Sequence, residues 1–106
     1  MNYNQNDVAH LLSILKSGRN NAQTASEIES QLISKFGFPK SGNQVMARGL
    51  ITYAIESGHL IKSSTSNPAG YWLEDDPEEI EKYISSLHHR AKKINQRADN
   101  LKKNLE

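Results

Sequence analysis

The stretch His59–Leu73, HLIKSSTSNPAGYWL, decides how the chain is organised. Two short apolar-alternating runs, His59-Leu60-Ile61-Lys62 and Tyr71-Trp72-Leu73, flank a polar link that holds Pro68 and Gly70. Short alternating runs joined by turn-forming residues predict a β-hairpin. Tyr71 and Leu73 share one face of the return strand, and Leu60 or Ile61 shares it on the outgoing strand. Trp72 points the other way. The hairpin follows a helical pattern closed by Gly58. Working outward, three short helices precede it and one long helix follows. The expected fold class is mainly α with a small β-hairpin.

A chain of 106 residues is expected to hold one small domain with an appendage. At this size only about 60–65% of the unfolded surface is buried, so a partner subunit would add stability. The hydrophobic content of 36% and mean hydropathy of −0.70 are low for a self-sufficient globule. Such values fit an exposed tail, or a helix that offers a narrow seam. There is no cysteine, hence no disulfide framework and no thiolate metal site. No apolar run approaches the roughly 18 residues of a membrane span, and Met1–Asn6 is polar, so a cytoplasmic protein is expected.

The formal net charge is only +1, but its distribution is uneven. Residues 74–81 carry six acids, and residues 88–103 carry six Lys and Arg against Asp99 alone. Residues 1–63 are slightly basic. The tail therefore has an acidic start and a basic end.

Residues 1–6 are expected to be disordered. Asp7 can cap a helix whose apolar positions are Val8, Leu11, Leu12 and Leu15, and Gly18 ends it. Arg19–Gln23 is a polar link. Thr24 and Glu27 form a capping box for a helix that places Ile28, Leu32, Ile33 and Phe36 on one face, and Gly37-Phe38-Pro39 breaks it. Ser41 and Gln44 make a second box, opening a helix that runs to Ser57. On it, Met46, Ala47, Leu50, Ile51 and Ala54 group on one side. Val45, Arg48, Gly49, Thr52 and Glu56 group on the other. Gly49 costs about 1 kcal/mol against Ala; it would let something outside approach the helix closely, or else is a tolerated surface glycine. The domain so read spans residues 7–73.

Residues 74–106 read as a C-terminal dimerisation helix. Asp75, Asp76 and Pro77 carry the start signals. Ile80, Ile84, Leu87, Ala91, Ile94, Ala98, Leu101 and Leu105 are spaced 4-3-4-3-4-3-4, a coiled-coil repeat. A helix lying on a globular core shows a broader stripe, so a homodimer is expected, and helix docking or a frayed tail is the alternative. The flanking charges favour antiparallel pairing by a small margin, since surface ion pairs are worth only about 0–1 kcal/mol.

Catalysis is not expected. The four histidines, His10, His59, His88 and His89, form no metal-ligand pattern. His88 and His89 are adjacent and point about 100° apart on a helix. No nucleophile motif, phosphate loop or calcium-loop spacing appears. No cofactor and no metal is implied.

Binding to double-stranded DNA is the chemistry that remains. A major groove accepts one α-helix, whose N-terminal side chains meet base edges. The third helix presents Asn43, Gln44, Val45, Arg48 and Thr52. Asn and Gln can bond adenine, Arg can bond guanine, and Val45 can touch a thymine methyl. Lys40, Ser41 and the helix N-terminus can hold phosphates. The hairpin supplies Lys62, Ser64, Thr65 and Asn67. Each of these residue types is also ordinary solvated surface; what groups them is a shared element.

Residues 7–73 resemble winged helix-turn-helix domains such as those of biotin-repressor-type regulators. The resemblance rests on Ala47, Ile51 and Ala54, on Ser57-Gly58-His59-Leu60-Ile61 and on Ala69-Gly70-Tyr71-Trp72-Leu73. Its most specific part is Gly70-Tyr71-x-Leu73. Glu74–Ile80 running into Leu87-x-x-Arg90-Ala91 looks like small phage- or plasmid-type winged-helix proteins. The resemblance implies a winged helix followed by a long coiled-coil-like helix. It also implies a homodimeric DNA-binding protein, either a small transcriptional regulator or an accessory factor of mobile-element replication. The chain departs from that pattern in its recognition helix, where Arg48 is the one basic residue, and phosphate neutralisation usually dominates affinity. The rival expectation is a protein–protein interaction module whose winged helix does not bind DNA. Single-stranded nucleic acid is a third, for which the aromatics seat too deep in the core.

Overall fold

The computed structural model describes residues 2–106. The chain forms two compact units, one ending at Glu74 and one running Asp75–Glu106. It is mainly helical, with a two-stranded antiparallel hairpin and a long C-terminal helix.

Helix α1 spans Gln5–Ile14 and starts earlier than expected. Asn4, not Asp7, is its N-cap. The Asp7 N–H donates to Asn4 Oδ1 at 2.9 Å and the Asn4 N–H donates to Asp7 Oδ2 at 3.0 Å, a reciprocal capping box. Tyr3 packs against the core, and its hydroxyl donates to the Met46 carbonyl at 3.0 Å. Cap and ring together order residues 3–6, which correct the expectation of a disordered start; Met1 lies outside the described residues. α1 ends four residues before Gly18, where Leu15 turns to extended backbone.

Helix α2, Ala25–Phe36, carries the Thr24–Glu27 capping box that the sequence predicts, and ends on Gly37 in the left-handed conformation. Ile28 and Leu32 are fully buried, Ile33 is half-buried, and Phe36 is exposed beside the His10 ring.

Helix α3 is Val45–Glu56, so it begins three residues later than expected. Asn43 and Gln44 stand at φ 52° and 55°, a region that Asn tolerates and Gln rarely adopts. The Ser41–Gln44 box therefore does not form. Buried Glu29 of α2 takes over the capping instead: its Oε1 accepts from Ser41 Oγ at 2.8 Å and from the Ala47 N–H at 3.3 Å. Ser41 Oγ in turn accepts from the Met46 N–H at 2.9 Å. Met46, Ala47, Leu50, Ile51 and Ala54 are buried, as their spacing predicts. They close the core with Val8, Leu11 and Ile14 of α1, with Leu15, Ile28 and Leu32, and with Ile61. The neighbour that Gly49 admits is Tyr3: a Cβ at position 49 would collide with its hydroxyl.

Strands β1, Ile61–Ser64, and β2, Gly70–Leu73, pair in the register Ile61↔Leu73, Lys62↔Trp72, Ser63↔Tyr71 and Ser64↔Gly70. Ile61, not Leu60, therefore shares the face of Tyr71 and Leu73, because directly opposed residues in an antiparallel pair lie on one side. The free edge of β2 is covered by the link between α1 and α2. Gln23 exchanges backbone bonds with Tyr71 at 2.9 and 2.7 Å, and the Leu73 N–H donates to the Lys16 carbonyl at 2.9 Å. This coverage is why Gly70 is glycine: at φ 129° any Cβ would strike the Gln23 backbone.

Helix α4 runs Pro77–Leu105, with Asp76 capping the Glu78 N–H at 3.0 Å and Pro77 in the first turn. Its start signals are those read from sequence. No residue of α4 is buried. Among the described residues no helix is long and apolar enough to cross a membrane.

Candidate nucleic-acid interface

Three elements of the first unit meet around one open groove of about 340 Å³. Its walls are Thr24 and Ala25 at the start of α2, Arg48 of α3, and Ser63, Ser64, Thr65 and Tyr71 of the hairpin. The sequence brings them together by two steps. The α3 core face fixes which way Arg48 points, and the Gln23–Tyr71 pairing pins β2 beside the start of α2.

Arg48 is the charged centre of this groove. Its Nη1 donates to the Tyr71 hydroxyl and its Nε to the Asn43 carbonyl, each at 3.4 Å. Both bonds are long, and the side chain is exposed. The guanidinium is thus aimed across the groove with donors to spare. Thr52 lies one turn on, exposed, its hydroxyl donating to the Arg48 carbonyl at 3.1 Å. Val45 begins α3 and is 60% exposed. At the start of α2 the Thr24 hydroxyl is spent on the capping box, donating to Glu27 Oε1 at 3.0 Å and accepting from the Glu27 N–H at 3.1 Å.

Other expected site residues stand elsewhere. Asn43 and Gln44 lie on the turn before α3, not on the helix. Lys40 is exposed on the same turn. Ser41 spends its hydroxyl on Glu29 and Met46. The N-terminus of α3 is not an open phosphate site either. The N–H of Val45 donates to the Gly42 carbonyl, that of Met46 to Ser41 and that of Ala47 to Glu29. Lys62 projects from the hairpin face opposite to Tyr71, with its Nζ 3.8 Å from Glu74 Oε2. Thr65 and Asn67 are exposed on the hairpin loop.

Arg19 is a residue that the sequence reading missed. From the α1–α2 link, its Nη2 donates to Ser64 Oγ at 3.1 Å and to Ser66 Oγ at 3.2 Å, which tethers the hairpin loop. These partners lie 45 and 47 residues away along the chain, so no local spacing signals them. The strand alternation predicts Tyr71 on the core face, and its ring packs there while its hydroxyl reaches the groove. Buried Gln23 fixes the floor: its Nε2 donates to the Ile14 carbonyl at 3.0 Å, and its Oε1 accepts from Gln31 at 2.6 Å.

Among the described residues no three His, Cys, Asp or Glu side chains group to hold a metal ion. Comparison with protein-family models, curated proteins and solved structures finds no match.

Proposed function

We propose that the unit ending at Glu74 is a winged helix that binds double-stranded DNA, as a small transcriptional regulator or an accessory factor of mobile-element replication. One observation carries the reading: Arg48, the start of α2 and the hairpin hydroxyls all open onto one groove beside the exposed face of α3. In this mode α3 enters the major groove with Val45, Arg48 and Thr52 toward the base edges. The hairpin with Ser63 and Thr65 lies against the flanking phosphates. Arg19 serves by holding the hairpin loop in place.

The test is binding to a duplex selected from a random pool, followed by fluorescence anisotropy at low and then moderate salt. Affinity falls as salt rises, since phosphate contacts release counterions. Arg48→Ala weakens the selected site by about 1–3 kcal/mol, or roughly 5- to 150-fold. An unchanged affinity removes Arg48 from the interface. No binding at low salt removes the DNA reading altogether.

A second reading is supported by a different observation. Val45 is 60% exposed at the tip of α3, while Lys62 is engaged by Glu74. An apolar tip with few cations around it suits a protein partner. A chain that ignores duplex at every salt concentration but loses a bound protein on Val45→Asp favours this second reading.

A further inference from the structure

The helix Pro77–Leu105 is about 44 Å long at 1.5 Å per residue. Its apolar residues lie on one stripe and stay open: Ile94 is 59%, Leu101 63% and Leu105 89% exposed. We infer that this stripe is covered by α4 of a second copy of the chain, running antiparallel. The pairing is independent of whether the first unit binds DNA.

The arrangement of large and small residues along the seam selects the direction. In a parallel pair each seam position meets itself. Ala91 would face Ala91 and Ala98 would face Ala98, each layer wedged between layers of paired Ile or Leu. One interhelical distance cannot serve both widths, so the alanine layers would leave voids without contacts. In an antiparallel pair each of Ile84, Ala91, Ala98 and Leu105 meets one of Ile80, Leu87, Ile94 and Leu101. One register satisfies all of them at once. Ile84 then faces Leu101 of the second copy, Ala91 faces Ile94, Ala98 faces Leu87, and Leu105 faces Ile80. The four central layers each combine one alanine with one Ile or Leu. They have a single width, and the wider Ile–Leu layers fall at the two ends.

Charge complementarity points the same way. Asp75–Glu81 carries five acids, and Arg90–Lys103 carries six cations against Asp99. In this register antiparallel pairing sets Glu81 across from Lys102 and holds the two acidic starts apart. It also opposes the two helix dipoles. It does bring Arg90 near Arg97. Parallel pairing stacks acid on acid and base on base, and sets Arg97 against Lys102.

The test uses the full chain without DNA. Sedimentation equilibrium reads the stoichiometry, and electron–electron distance measurement reads the direction. The chain has no cysteine, so Lys103→Cys, off the seam, gives a single spin-label site. Antiparallel pairing separates the two labels by about 30 Å along the axis, whereas parallel pairing leaves them about 20 Å apart across the pair. Ile94→Asp places a charge in the central layers and raises the dimer dissociation constant by about 100-fold or more. Gln96→Asp, the same charge off the seam, leaves the dimer intact. A monomer or a higher oligomer overturns the inference, and so does a dimer that Ile94→Asp does not weaken. A distance near 20 Å overturns the direction. The distance is read on a chain with an intact seam, so it decides even where Ile94→Asp perturbs the helix itself.

Discussion

In the unit ending at Glu74, Leu11, Ile28, Leu50 and Ala54 are wholly closed off from solvent, whereas in α4 Leu101 is 63% exposed. Both regions obey a helical apolar period. The difference lies in the width of the stripe and in what faces it. The first three helices each turn a broad apolar face inward, and the hairpin adds Ile61 to the same core. α4 has a two-residue-wide seam and polar residues on every other side. A narrow seam cannot hold a core of its own, so the same chemistry that stabilises one unit leaves the apolar residues of the other exposed.

That contrast can be broken or sharpened by substitution. Leu50→Ala removes fully buried methyls and should cost about 2–5 kcal/mol. The same truncation at Leu101, made at low protein concentration, should leave the unfolding midpoint of the first unit unchanged. Urea melts read both, and equal losses would mean that the two apolar sets do the same job. Glu29→Ala should come next. It strips the Ala47 N–H and the Ser41 hydroxyl of a charged acceptor, at about 1.5–3 kcal/mol. The loss should shrink in Glu29→Gln, which keeps an oxygen in place. A Gln variant as unstable as the Ala variant would show that packing, not the bond, is what Glu29 supplies.

The smallest effect is expected at Tyr3. Burial first, and then the negative charges of Asp7 and Glu29, raise its phenol above the ordinary value of 10.0. The folded chain thus holds this proton more tightly than the unfolded chain does. The stabilisation is complete below about pH 10, and it is lost as the pH climbs from there through the folded value. Tyr3→Phe should lower stability by about 0.5–1.5 kcal/mol through the lost bond to the Met46 carbonyl, and should lack this added alkaline loss. Melts between neutral and alkaline pH compare the two. Parallel pH curves for both chains would exclude Tyr3 as a source of the slope.

Much of the architecture was legible because it is written in short-range pattern. Thr24 and Glu27 are three residues apart, and a capping box needs nothing else. The α3 core face follows from a 100° step. Asp76 and Pro77 state a helix start directly. The candidate site was less legible. Arg48 and Thr52 were found by their face. Tyr71 and the start of α2 were not, because each reaches the groove through the pairing of Gln23 with Tyr71, and Arg19 was not, because the serines that it tethers lie 45 and 47 residues away. Ser41 and Gln44 have the spacing of a capping box, and the prediction failed there because Glu29, one helix away, is the stronger acceptor.

The sequence alone determined which segments are helix, where the hairpin lies and which residues of α3 and α4 are apolar together, since these depend on neighbours within a few residues. The tertiary structure decided the rest. It ordered residues 3–6 by giving Tyr3 a seat beside Gly49, and it moved the start of α3 to Val45 by supplying Glu29. It also chose Ile61 over Leu60 and made the α1–α2 link an edge of the sheet. In each case the deciding partner is distant along the chain, and only closure of the core brings it within bonding range.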